Sequence, residues 1–160
     1  TGSTDVGYPF AKYDNDLCGL ISLCDALHGL KHPIELDLSK CALSAHGAAA
    51  VAKAIEAGAA VNCLVLDMNG IFGEVWADGN VKEVDTFSGV CDAFLASLKG
   101  SNVLMLSLQK TGIGPVALRK LATSLPAHLT KIDIRGAGVD EQELAAFKLV
   151  AAKGSCETIS

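Results

Sequence analysis

Four segments of this chain carry the same spacing of apolar residues, and that repetition limits the fold more than any other feature. Leu36-x-Leu38-x-x-Cys41-x-Leu43 is followed by Leu64-x-Leu66-x-x-Asn69-x-Ile71. Leu106-x-Leu108-x-x-Thr111-x-Ile113 and Ile132-x-Ile134-x-x-Ala137-x-Val139 complete the set. A unit of this size cannot bury its apolar face alone, whereas stacked copies share one core. The repetition therefore predicts a solenoid, a fold that works by presenting a surface.

Each repeat divides into two halves. The first alternates apolar and polar residues, as in Ile34-x-Leu36-x-Leu38, which predicts a strand with one face inward. The second spaces apolar residues three and four apart, which predicts a helix. Its apolar residues are Ala48, Val51 and Ile55 in the first repeat, and Leu118, Leu121 and Leu125 in the third. In the fourth they are Leu144, Phe147 and Ala151. Leu36 to Val51, Leu106 to Leu121 and Ile132 to Phe147 are all fifteen positions apart. Leu20, Leu23 and Leu27 fit the same frame as the helix of an incomplete leading unit, a capping helix over roughly 14–30. Helix ends are marked as well. Ser44 stands where it can cap a helix over 45–57, and Gly58 stands just past its end. Asp140 and Glu143 have capping-box spacing, and Pro115 suits a first turn.

The frame resembles the ribonuclease-inhibitor type of leucine-rich repeat. The likeness is closest in Leu36-Asp-Leu-Ser-Lys-Cys-Ala-Leu-Ser-Ala-His-Gly47-Ala-Ala-Ala-Val-Ala-Lys-Ala-Ile55 and covers about 17–153. The resemblance implies an α/β fold: a short curved stack with parallel strands on the concave side and helices on the convex side. Residues 1–160 then form one domain of about four strand–helix repeats plus the N-terminal capping helix. In that family the Cys41 position is Asn or Cys, whose side chain bonds backbone at the turn out of the strand. Asn69 fits that role, Thr111 partly substitutes, and Ala137 departs from it, which marks the last repeat as a terminal cap. Such repeats serve ribonuclease inhibition, innate-immune sensing, Ran GTPase activation and actin-filament capping.

The period breaks once. Leu36 to Leu64 is 28 residues and Leu106 to Ile132 is 26, but Leu64 to Leu106 is 42. The excess lies at 72–86, between strand and helix, where solenoid insertions project as binding loops. It holds the only tryptophan, Trp76, with Phe72, Glu74 and Asp78, and also Glu83 and Asp85. An aromatic anchor in an acidic surround is a candidate hot spot for a protein partner. The competing expectation is that Trp76 and Phe72 fold back onto local core. On the concave face three rows are expected: Glu35, Cys63, Met105, Lys131; Asp37, Val65, Ser107, Asp133; and Ser39, Asp67, Gln109, Arg135. Asp37, Asp67, Gln109, Asp133 and Arg135 are the partner-binding candidates there. The face is mixed in charge and carries no strong signature, and the competing expectation is an ordinary solvated surface.

Composition narrows the function. A net charge of −5 argues against nucleic acid, which requires a basic face. No run of about 18 apolar residues is present, so no transmembrane helix is expected. Mean hydropathy is +0.36, which points to a large core or to apolar surface that meets a partner. The six cysteines form no C-x-x-C pair and read as reduced thiols packed in a repeat, hence an intracellular, cytoplasmic setting. The chain begins at Thr1 without a signal-peptide pattern, as a processed chain or a piece of a longer one does. Gly112-x-Gly114 is followed by Pro115 and not by a phosphate loop. Cys24 and His28 share a helix spacing but lack a second ligand pair for zinc. No catalytic, cofactor or metal set is expected. The expected function is a non-catalytic protein–protein interaction module or a structural subunit of a larger assembly. The alternative is a regulator of an enzyme, of the GTPase-activator or inhibitor kind.

Overall fold

The computed structural model describes residues 13, 14 and 17–160. Five helices and a five-stranded parallel sheet form its regular part. In chain order these are α1 (Cys18–Leu27), β1 (Ile34–Asp37), α2 (Ala45–Glu56), β2 (Val61–Val65), a small hairpin of β3 (Glu74–Val75) and β4 (Val81–Glu83), α3 (Asp92–Gly100), β5 (Met105–Ser107), α4 (Pro115–Ala122), β6 (Lys131–Asp133), α5 (Glu141–Lys153) and β7 (Glu157–Ile159). The sheet runs β1-β2-β5-β6-β7, and every pairing in it is parallel. Parallel neighbours need a crossover between them, and one helix per repeat supplies it.

The register follows the sequence period. Leu36 pairs with Leu64, Leu64 with Leu106, and Leu106 with Ile132. These four side chains are buried, and they line one continuous core with Val51, Ile55, Leu98, Leu118, Leu121 and Phe147 from the helices. Removing each from water contributes roughly 1.5–3 kcal/mol, so the in-register layer dominates the stability of the sheet. The two flanking strand rows also align as expected: Glu35, Cys63, Met105, Lys131 and Asp37, Val65, Ser107, Asp133.

Beyond the apolar layer, a buried amide ties two turns together. Asn69 is fully buried and has four hydrogen-bonding partners. Its Oδ1 accepts from the Leu43 N–H at 3.0 Å, and its two Nδ2 hydrogens are shared among the carbonyls of Leu38 (2.8 Å), Leu66 (3.0 Å) and Asp67 (3.3 Å). One side chain thus satisfies backbone groups of two successive repeats. Thr111 fills the equivalent place with a single bond, Oγ1 to the Leu108 carbonyl at 2.8 Å. Cys41 is exposed instead, its Sγ on the Ser39 carbonyl. Among the described residues its strand lies at the sheet edge, with no preceding strand of the sheet for it to bond.

Helix ends agree with the residues that mark them. The Ser44 side chain accepts from the His46 N–H, and Asp140 and Glu143 form a complete capping box on α5. Pro115 opens α4. Two expectations need correction. The leading helix spans Cys18–Leu27 rather than 14–30; its N-cap is Leu17, which has no side-chain cap, and positions 15–16 lie outside the described residues. A fifth strand, β7, adds to the four expected, with Thr158 paired to Ile132. Thr158 stands where the other strands carry Leu or Ile, and its Oγ1 is buried without a hydrogen-bond partner. That polar residue hid the strand from the apolar pattern.

Replacing Asn69 by Ala leaves the Leu43 N–H and the Leu38 and Leu66 carbonyls buried without partners. A loss of about 2–3 kcal/mol in urea denaturation is expected, given the cost of orphaned buried polar groups. A change below about 0.5 kcal/mol, the size of an ordinary surface substitution, would show that the amide does not join the turns.

Candidate functional site

The 72–86 insertion is built on a short hairpin. Asp78-Gly79 stands between Glu74-Val75 and Val81-Lys82, a turn pair flanked by strand formers. Gly79 takes φ +89°, which favours glycine, and it sits against the Met68 side chain. The Trp76 N–H donates to the Asn80 carbonyl and the Gly79 N–H to the Trp76 carbonyl, both at 2.8 Å. Asp78 accepts from the Asn80 backbone at 2.9 Å and from its side-chain amide, bonds that hold its carboxyl below the usual range. The loop closes at its base, where the Phe87 N–H donates to the Phe72 carbonyl at 2.9 Å.

The two aromatic residues of the insertion separate. Phe72 is fully buried and meets Phe94 edge-on at 6.0 Å, so no partner can reach it. The expectation that Phe72 binds a partner is corrected: it anchors the loop to the core under α3. Trp76 is 39 % exposed at the hairpin tip. Lys82 lies 5.1 Å from its ring centroid and pairs with Glu74 at 2.6 Å. Beside Trp76 is a hollow of about 50 Å³ lined by Tyr13, Lys40, Ala42, Met68 and Val75. It admits a small side-chain group and is far below the volume of a typical substrate pocket, roughly 300–1,000 Å³.

The charge around Trp76 differs from the acidic surround expected. Lys40, Lys82 and Lys110 all approach the tip, Lys110 donating to the Asn80 Oδ1 at 3.3 Å. Of the acids, Glu74 is paired, Asp78 is tied to Asn80, Glu83 is exposed on β4, and Asp85 faces the other way. Asp85 reaches the start of α4, where its carboxylate accepts from the N–H groups of Gly114 (3.1 Å), Val116 (2.8 Å) and Ala117 (2.8 Å). Gly114 has no side chain to cap that helix, so the insertion supplies the cap. Sequence reasoning missed this role because the capping residue lies 29 positions from the helix it caps.

A second strap comes from Tyr13 and Asp14. Tyr13 Oη donates to the Val75 carbonyl at 3.0 Å and accepts from its N–H at 2.9 Å, completing the open edge of β3. Its ring meets Phe87 edge-on at 5.9 Å and lies so close over Gly70 that a Cβ there would collide with it. Asp14 accepts from the Ser44 N–H at 3.0 Å and from the Ser44 hydroxyl, at the start of α2.

On the sheet face the candidate residues largely satisfy one another. Asp67 is buried and accepts from Ser107 Oγ (2.7 Å) and the Gln109 N–H (2.9 Å). Asp133 is buried beneath Arg135, which bonds it through Nε and at 2.7 Å through its terminal nitrogen. Asp37 is exposed and held in its ionised form by the Ser39 hydroxyl and N–H. Asp67 and Asp133 are thus corrected from open contact residues to internal acceptors. Gln109 and Arg135 remain reachable.

Burial pushes the thiols of Cys24, Cys91 and Cys156 upward, so none is an activated nucleophile. Among the described residues no group of His, Cys, Asp or Glu has the arrangement of a metal site, and no helix is long and apolar enough to cross a membrane. An apolar groove of about 240 Å³ lies between α4 and α5, over Leu118, Ala146 and Phe147. A scan of protein-family models and a search of curated proteins each give no match to this chain.

Asp85→Ala should destabilise the fold by about 1–2 kcal/mol, the typical value of a helix cap. Melting followed by circular dichroism measures it. An unchanged melting temperature would mean that α4 does not depend on the insertion.

Proposed function

We propose that this chain is a leucine-rich-repeat solenoid of the ribonuclease-inhibitor-like type and a non-catalytic protein-binding module. Its partner docks on the Trp76 hairpin. The observation that carries this reading is Trp76 itself: a large aromatic side chain, exposed, on a loop braced at its base, edge and tip. Interfaces draw most of their energy from such rigid aromatic anchors, because little conformational entropy remains to be lost. The lysines beside it favour an acidic partner surface. The buried thiols suit a reducing, cytoplasmic compartment, which is proposed on that ground.

Two substitutions separate anchor from core. Phe72→Ala should cost about 3–5 kcal/mol of stability, as for a fully buried aromatic. Trp76→Ala should cost less than Phe72→Ala, about 1–3 kcal/mol, because its side chain is 39 % exposed and only part of its burial is lost. Quantitative mass spectrometry of proteins retained from native extract by the wild-type and Trp76→Ala forms then tests docking. A partner held by the former and lost by the latter is expected. Identical retention by both, with both folded, would overturn the reading.

A further inference from the structure

The Tyr13–Asp14 and Val84–Asp85 pairs occupy the repeat turns in the same way. The Asp14 N–H donates to the Ala42 carbonyl at 2.9 Å, and the Asp85 N–H donates to the Gly112 carbonyl at 3.0 Å. Ala42 and Gly112 are equivalent positions, each just before the last apolar residue of the strand motif. Each aspartate then takes the N–H two residues further on, Ser44 for Asp14 and Gly114 for Asp85. Both adopt left-handed backbone, φ 55° and 59°. The residue before each covers the turn glycine of the following repeat: Tyr13 over Gly70, and Val84 beside Gly138. The same two-residue contact is therefore made twice, by segments 71 residues apart in the chain.

From this we propose that the paired turns of the first two repeats form a recognition slot for an apolar or aromatic residue followed by aspartate, and that Tyr13–Asp14 fills it in cis. The chemistry is specific at both ends. The Ser44 N–H and hydroxyl, at the N-terminus of α2, select a carboxylate. The bare surface of Gly70, the edge of Phe87 and the paired N–H and carbonyl of Val75 select a flat ring with a hydroxyl. The two occupants differ in how they are held. Val84–Asp85 sits between β4 and the Phe72–Phe87 bond that closes the insertion. Neither pair belongs to a helix or strand, and the described element nearest in the chain to Tyr13–Asp14 is α1, which begins at Cys18. Tyr13–Asp14 is the exchangeable copy, and a partner segment carrying the same pair competes with it. The slot adjoins the Trp76 hairpin, whose β3 edge Tyr13 braces, and would stand even if Trp76 bound nothing.

The test uses the full chain with Tyr13→Ala and Asp14→Ala together, and a blocked peptide with the sequence of residues 11–15, Ala-Lys-Tyr-Asp-Asn. Calorimetric titration should show saturable binding to the double variant, at least about tenfold tighter than to the wild type, whose slot is filled. Peptides with Ala in place of Tyr or of Asp should each weaken binding by about tenfold. Equal affinity for both proteins, or no binding to a folded double variant, would overturn the proposal. If the double variant does not fold, the wild type decides by amide chemical shifts at high peptide concentration. Selective shifts at Ser44 and Val75 support the slot, and their absence contradicts it.

Discussion

The structure depends on one layer of side chains. Leu36, Leu64, Leu106 and Ile132 stack in register across four parallel strands, and each is held against the helices behind it. Because the side-chain period of a strand is two, a slip of one residue would turn this row outward and the polar rows inward. The register is therefore fixed by burial, and everything else is placed relative to it. Polar groups on the sheet face can be arranged in rows only because the apolar row behind them does not move. The turns that follow each strand recur at matching positions for the same reason.

Those turns are the second level of organisation. A parallel strand that leads into a helix leaves backbone groups to satisfy at each bend. Asn69 does this between the first two repeats, and Asp140 caps its own helix. Where the local residue is a glycine, as at Gly114, a distant aspartate arrives instead. The insertion is thus not a passive loop. It seals the core with Phe72, caps α4 with Asp85, and carries Trp76 on what remains. Fixing a loop at its base and middle costs conformational entropy at folding, and spares that cost when the tip meets a partner.

Much of this was legible in the residues. The constant offset of fifteen from strand to helix predicted the order of elements, and the flanking rows were right because strand register follows the apolar row. Asn69, Ser44 and Asp140 were legible because their partners lie in the same or the adjacent repeat. The roles of Asp14 and Asp85 were not, since the groups they bond are 29 to 32 positions away and nothing local marks them. Phe72 could be read either as a partner contact, because it opens an insertion, or as a residue folded back onto local core; the turn geometry carries it inward before the loop departs. The hairpin left a signal in Asp78-Gly79 that periodicity alone does not weigh. β7 was obscured by Thr158, a polar residue in an apolar row.

The in-register parallel layer is tested most directly by nuclear Overhauser contacts across the sheet. Backbone contacts should link Leu36 to Leu64, Leu64 to Leu106, Leu106 to Ile132 and Ile132 to Thr158, with 72–86 contributing none between β2 and β5. Contacts displaced by one residue, an antiparallel pattern, or a strand of the insertion between Leu64 and Leu106 would contradict it.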